Sequence, residues 1–159
     1  MGQQQLLLLV LSTVIVGLAT VAGIQAFSEG QTQAAQDALT QRGLAIGTDI
    51  TAALNQPSQL GGISTDSDPK QVAAAAGLDD TDNNGEGIPA TGAGNSADCD
   101  ITSTGSSAIT LICAQGGDSN GDKKTNESNS NNDPQTATIE VNEDGASITK
   151  INGTNLGSI

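Results

Sequence analysis

The sequence predicts an α+β fold in which a long N-terminal helix packs on a small four-stranded antiparallel sheet. Residues 1–54 contain no proline and carry apolar residues at helical spacing. Two later stretches alternate apolar and polar residues around turn-forming residues, as β-hairpins do. The 159 residues therefore divide into a helix, residues 1–54, and an acidic, β-rich globular head, residues 55–159.

The first half of the helix is predicted to span a membrane. Residues 6–27 form an almost unbroken apolar run, and about 20 such residues suffice to cross a bilayer. Ala19 and Gly23 lie four residues apart, and Gly17 adds another small side chain that allows a neighbouring helix to approach closely. The alternative is that glycine is simply common in membrane helices.

The second half of the helix, residues 28–54, is amphipathic. It offers one apolar stripe to the sheet, made of Ala34, Ala38, Leu39, Ala45, Ile46, Ile50, Ala53 and Leu54. A second, short helix is expected from Pro69 to Leu78, with Asp68 as its N-cap and Gly77 near its end.

The first predicted hairpin contains both cysteines of the chain. A turn centred on Ser106 aligns Cys99 with Cys113, Ile101 with Leu111, and Ser103 with Ile109. Directly opposed strand positions lie within reach of a disulfide bond, so this register predicts one and an oxidising compartment. The alternative is a pair of buried free thiols.

The second predicted hairpin runs from Ala137 to Ile151. Asp144-Gly145 is a strong signal for a two-residue turn. That turn would place Val141 opposite Ile148, and Ile139 opposite Lys150.

The charge is concentrated in the head. The chain has 18 acidic and 5 basic residues, and residues 55–159 hold 15 of the acids and four lysines. Such a head is not expected to bind nucleic acid, which requires clustered Lys and Arg. Its acidity fits either ordinary solubility or adaptation to high salt, and the sequence does not decide between them.

One stretch of the head is similar to a calcium-binding loop. Asp80, Asp82, Asn84 and Glu86 surround Gly85 in a stretch similar to the start of an EF-hand loop, yet Thr91 stands where that loop carries its glutamate. Solvated acidic loops are the alternative. Asn126 and Asn152 begin possible glycosylation sequons.

An enzyme is not expected. The chain has no histidine, tyrosine or tryptophan, and no phosphate-binding loop or nucleophile elbow. No cofactor is expected apart from the possible calcium ion.

The chain as a whole resembles a bacterial type IV pilin or a related filament subunit. The resemblance is carried by Gly2 before a polar start, the apolar run, the helix continuing to about Leu54, the strand-rich head and the cysteine pair. It implies processing between Gly2 and Gln3 and a single-pass precursor in the cytoplasmic membrane. Assembly machinery would then build a homo-oligomeric, helical, extracellular filament (a pilus) through the helix residues Leu6, Leu9, Val16, Gly17, Ala19, Gly23 and Phe27.

Two features depart from the pilin pattern. Only Met1 precedes Gly2, where pilins usually carry a basic leader, and Gln3–Gln5 stand where most carry a glutamate. Alternative interpretations are a pseudopilin of a secretion system, a membrane-anchored calcium-binding surface module, or a secretory signal peptide, against which the lack of a basic n-region speaks. The resemblance does not distinguish adhesion, motility, DNA uptake or biofilm formation.

Overall fold

The fold begins with a 53-residue helix, α1 (Gly2–Leu54), which confirms the predicted long N-terminal helix. The structure is a computed structural model that describes residues 2–79, 85, 87–94, 97–105, 107–115, 135–151 and 154–155. By its internal contacts the chain divides into two compact units, Met1–Gln33 and Ala34–Ile159. The part of α1 from Ala34 to Leu54 therefore belongs to the same unit as the sheet.

A single 3₁₀ turn, Ser58–Leu60, and a short helix, α2 (Pro69–Ala75), follow α1. The Asp68 carboxylate accepts a hydrogen bond from the Lys70 N–H at 3.1 Å, which confirms the predicted N-cap. At the other end Gly77 has a φ of 67°, and the Leu78 N–H donates to the Ala73 carbonyl at 2.9 Å. This Schellman arrangement ends α2 three residues earlier than predicted.

The sheet is antiparallel and has six strands in sequential order, so the prediction of four strands was too low. The four longer strands are the two predicted hairpins, and a two-residue strand extends the sheet at each edge. The strands are β1 (Ile88–Pro89), β2 (Ala97–Thr104), β3 (Ile109–Gln115), β4 (Thr136–Asn142), β5 (Gly145–Ile151) and β6 (Thr154–Asn155).

The register of the first hairpin is confirmed at its cysteine end, where Cys99 pairs with Cys113 and Ile101 with Leu111. Because strand side chains alternate between faces, all four point to the same side of the sheet. All four are also buried, with Cys99, Leu111 and Cys113 fully so. One register thus brings the cysteines and two core aliphatic residues together.

The register near the hairpin turn was predicted wrongly. Ser103 pairs with Thr110 and Thr104 with Ile109, because Thr102 is an extra residue on its strand. The Thr102 hydroxyl donates to the Thr110 carbonyl at 3.3 Å across this irregularity. A β-bulge of this kind shifts every later pair by one residue.

The turn of the second hairpin also differs from the prediction by one residue. Asn142 pairs with Gly145, so the connecting residues are Glu143 and Asp144 rather than Asp144 and Gly145. The Asn142 Oδ1 accepts hydrogen bonds from the N–H groups of Asp144 and Gly145, both at 3.0 Å. This side chain closes the turn locally, as asparagine does in Asx turns.

The earlier turn changes the pairing along the hairpin. The expected pairs of Val141 with Ile148 and of Ile139 with Lys150 do not form. The structure instead pairs Val141 with Ala146, Ile139 with Ile148 and Thr138 with Lys150. Ile139 thereby gains an apolar partner on the core face of the sheet, where it is fully buried.

The core lies between the second half of α1 and one face of the sheet. Five of the predicted stripe residues are buried: Leu39, Ile46, Ile50, Ala53 and Leu54. Ala34 and Ala45, however, are exposed, and the buried face is completed by Ala35, Gly43 and Gly47. The stripe is therefore rotated slightly from the predicted one, toward the positions with the smallest side chains.

Candidate functional site

The candidate functional site is the apolar segment of α1, residues 6–27. All thirteen of its large aliphatic and aromatic side chains are exposed, from 50% for Val10 to 69% for Phe27. By length and composition this part of α1 can cross a membrane. Glu29 is the first ionisable side chain of the chain, so no side-chain charge interrupts the segment.

The hydroxyl groups within the apolar segment are satisfied by the helix itself. Ser12 donates to the Leu9 carbonyl at 2.9 Å and Thr13 to the Val10 carbonyl at 2.8 Å. The Thr20 hydroxyl likewise donates to the carbonyl of Val16 at 2.8 Å. These three polar side chains can therefore enter an apolar environment without losing their hydrogen bonds.

Two glycines of the segment have no packing role within the chain. A Cβ placed on Gly17 or Gly23 would meet no atom within 4 Å. Ala19 between them is also exposed. Glycine costs about 1 kcal/mol relative to alanine in a helix interior, and nothing described in the isolated chain offsets that cost.

Two glycines further along α1, Gly43 and Gly47, make close contacts with the sheet. A Cβ on Gly43 would lie 2.5 Å from Ile139 Cδ1 and 3.1 Å from the sulfur of Cys113. A Cβ on Gly47 would lie 2.6 Å from the Cβ of Ala146. These two positions bring the helix backbone against β3, β4 and β5. The sequence analysis predicted helix–sheet packing but missed this role of the two glycines. Their spacing of four residues on the buried face is the signal that could have found it.

Polar contacts also tie the second half of α1 to the sheet. Arg42 Nε donates to the Pro89 carbonyl at 3.2 Å. At the end of the helix, Asn55 Nδ2 donates to the Glu143 carbonyl at 3.0 Å. The Thr51 hydroxyl reaches the Asn142 carbonyl at 3.4 Å. These contacts and the glycine contacts hold α1 on the sheet from Arg42 to Asn55.

The disulfide bond between Cys99 and Cys113 is confirmed, with an S–S distance of 1.99 Å and a Cα–Cα distance of 3.9 Å. Both cysteines are fully buried in the core. The bond joins β2 to β3 directly beneath Gly43 of α1. This position gives it a structural role at the centre of the helix–sheet contact.

The remaining predicted site residues stay as predictions. Gly2 and Gln3 lie exposed in the first turn of α1. The calcium candidates Asp80, Asp82, Asn84 and Glu86 and the sequon residues Asn126 and Asn152 lie outside the described residues.

Comparison of the chain with known protein families, with curated proteins and with solved structures gave no match.

Two buried carboxylates were not anticipated from the sequence. Asp98 and Asp100 are only 4% and 3% exposed, although they alternate with Cys99 and so lie on the sheet face away from α1. The Asp100 Oδ1 accepts a hydrogen bond from the Gly87 N–H at 2.8 Å. The Ile101 N–H donates to the Gly85 carbonyl, also at 2.8 Å. Glycines from the end of the candidate calcium loop are thus attached to β2.

The head and the apolar segment present different kinds of surface. The head presents a core built from α1, the sheet and the disulfide. Apart from the exposed amide of Gln25, the apolar segment presents hydrocarbon surface and internally satisfied hydroxyls. Such a surface is suited to contact with lipid or with other apolar helices.

Proposed function

We propose that this protein is the structural subunit of an extracellular filament similar to a type IV pilus. In this proposal the apolar segment holds the subunit in the cytoplasmic membrane and then packs against the same segment of other copies. The head lies outside the membrane throughout. We assign the protein no catalytic role.

The observation that carries the proposal is the continuous exposure of thirteen large apolar side chains in residues 6–27. Moving one such side chain from water to an apolar environment is worth about 1.5–3 kcal/mol. Thirteen together exceed the whole folding stability of a typical domain, about 5–15 kcal/mol. Covering this surface is therefore a large favourable free-energy term for the chain.

Two partners can cover the surface, and a filament subunit would use both in turn. Lipid covers it before assembly, and other copies cover it afterwards, so the segment never enters water. Gly17 and Gly23, which have no packing role in the isolated chain, favour helix neighbours because small residues let helix backbones approach closely. Repeated contacts between two different surfaces of one subunit produce open helical polymers.

The same features suit a pseudopilin, which would form only short assemblies in a secretion system. A membrane-anchored surface module would keep lipid as its only cover. The resemblance of the whole chain to type IV pilins, in plan from Gly2 to the disulfide-bonded head, favours an assembling subunit over the anchored module. The length of the assemblies on the cell surface separates a pilin from a pseudopilin.

The test is a charge in the middle of the apolar segment. Val16→Asp and Leu9→Asp each cost about 2.5–3.5 kcal/mol in a membrane helix, and the carboxylate would have no partner among packed apolar segments. Gln31→Asp is the matched control, because Gln31 is an exposed polar residue of α1 beyond the segment. Electron microscopy of sheared cell-surface material should show filaments with the control and none with Val16→Asp.

Mass spectrometry of the sheared material identifies the subunit and its N-terminal residue, which also tests processing between Gly2 and Gln3. Filaments of this subunit in normal number from the Val16→Asp strain would refute the proposal. Wild-type cells that hold the protein only in the membrane fraction would favour the anchored module instead.

A further inference from the structure

Residues 28–33 lie between the apolar segment and the part of α1 that packs on the sheet. All six residues of this stretch are exposed: Ser28, Glu29, Gly30, Gln31, Thr32 and Gln33. The first buried residue of α1 is Ala35. The boundary between the two compact units of the chain falls between Gln33 and Ala34.

The helix in this segment lacks the packing on the sheet that Ala35–Leu54 has. A Cβ on Gly30 would meet no atom within 4 Å, so the glycine serves no close contact in the described chain. Glycine is the least favourable helix residue after proline. Glu29 has no Lys or Arg three or four positions away in the sequence that could pair with it along the helix.

A hydroxyl–carbonyl hydrogen bond of the kind that Thr20, Thr48 and Thr51 also make lies within the segment, where the core does not support the helix. The Thr32 hydroxyl donates to the Ser28 carbonyl at 3.0 Å, which is the carbonyl four residues earlier. Bonds of this kind compete with the backbone ladder, slightly destabilise a helix and often bend it. The bond and Gly30 fall within the same helical turn.

We propose that residues 28–33 form a helical joint, a segment of α1 that opens locally far more often than the helix on either side of it. The apolar segment is stabilised by its surroundings, and Ala35–Leu54 by the core, whereas short helices in water are marginal without such packing. Opening at the joint lets the chain change direction between the two. The inference does not depend on filament formation, because a simple membrane anchor would open at the same place.

The experiment is hydrogen–deuterium exchange of the full chain in detergent micelles, with exchange rates corrected for local sequence. Amides of residues 28–33 should exchange at least tenfold faster than those of the apolar segment and of residues 39–54. Gly30→Ala should slow exchange in the joint about threefold to fivefold. Thr32→Gln, which removes the hydroxyl bond and adds a better helix former, should also slow it.

Ala45→Gly is the matched control, because Ala45 is an exposed residue of α1 in the half that packs on the sheet. It should leave exchange at residues 28–33 unchanged. The proposal is overturned if the wild-type joint is as protected as both flanks. It is equally overturned if neither Gly30→Ala nor Thr32→Gln slows exchange there.

Discussion

Gly43 and Gly47 determine how closely α1 approaches the sheet. At Gly43 an added Cβ would meet the far end of the Ile139 side chain, which can rotate away. At Gly47 it would lie 2.6 Å from the Cβ of Ala146, which can move only with the β5 backbone. The two glycines therefore differ in what a larger side chain would force to move.

We expect Gly47→Ala to lower the free energy of unfolding of the head by about 1–2 kcal/mol. Overpacking a core typically costs about 1–3 kcal/mol, and the contact with the Ala146 Cβ favours the upper part of that range, about 2–3 kcal/mol. The better helix propensity of alanine offsets about 1 kcal/mol of this cost. Gly43→Ala should cost less, because Ile139 can yield. Urea unfolding of the full chain in detergent, followed by circular dichroism, measures both.

Gly30→Ala is the control for helix propensity alone, since its Cβ enters open space. It should leave the unfolding of the head unchanged. A Gly47→Ala protein as stable as the wild type would show that β5 moves freely and that the contact with α1 is loose.

Asn142 sets the length of the turn between β4 and β5. Its side chain satisfies the N–H groups of Asp144 and Gly145, so the strands separate one residue before the Asp-Gly pair. The pairing of Ile139 with Ile148 follows from this position of the turn. One side chain thus controls the register of the second hairpin.

We expect Asn142→Ala to destabilise the head by about 1–2 kcal/mol, because two backbone donors lose their acceptor. Asp144→Ala should change stability by less than about 0.5 kcal/mol, since Asp144 is exposed and takes part through its backbone. Thermal unfolding of the two variants side by side provides the comparison. The reverse order of effects would mean that Asp144-Gly145 forms the turn after all.

The two hairpins show what could be predicted at the scale of elements and what could not. The cysteine end of the first hairpin was predictable because two cysteines and two aliphatic residues all require the same face. The bulge at Thr102 has no such signal, since an extra threonine on a strand looks like any other. In the second hairpin the Asp144-Gly145 pair does lie at the turn. The hydrogen bonds of the Asn142 side chain, however, place the turn one residue earlier than that pair predicts.

The apolar segment was predictable in full. Nearly all of its residues are apolar, so the prediction did not require knowing which face each side chain occupies. The helix–sheet contact was predictable only in outline. Stripe positions were chosen for apolar size, whereas Gly43 and Gly47 are buried because they are small. The buried Asp98 and Asp100 could not be predicted from alternation, which places them on the face expected to be exposed.

At the scale of the whole molecule, the charge of the head would oppose the association of apolar segments in the proposed filament. Fifteen acidic residues against four lysines give residues 55–159 a net charge of −11. In a filament these heads would lie side by side. The Debye length is about 30 Å in 0.01 M salt and about 3 Å in 1 M salt, so salt should remove most of the repulsion.

We expect filaments to dissociate at a higher temperature in molar salt than in dilute buffer. The contacts between apolar segments should not weaken with salt, so only the repulsion changes. Light scattering during heating measures the transition at each salt concentration. A transition temperature that does not respond to salt would remove electrostatic repulsion as a factor in assembly.

A chelator added at constant ionic strength separates screening from bound calcium. Screening predicts no effect of the chelator. If the chelator lowers the transition as much as dilution does, a bound cation is responsible, and the stretch from Asp80 to Glu86 becomes the first place to substitute.

The contact of Gly43 with Ile139 and of Gly47 with Ala146 also fixes an order of events during synthesis. These partners lie about a hundred residues further along the chain, and contacts of such long range form late. A nascent chain that has reached Cys113 can close its disulfide, but it still lacks the two strands against which both glycines rest. The helix that leaves the ribosome first therefore cannot complete its contacts with the sheet until β4 and β5 have been made.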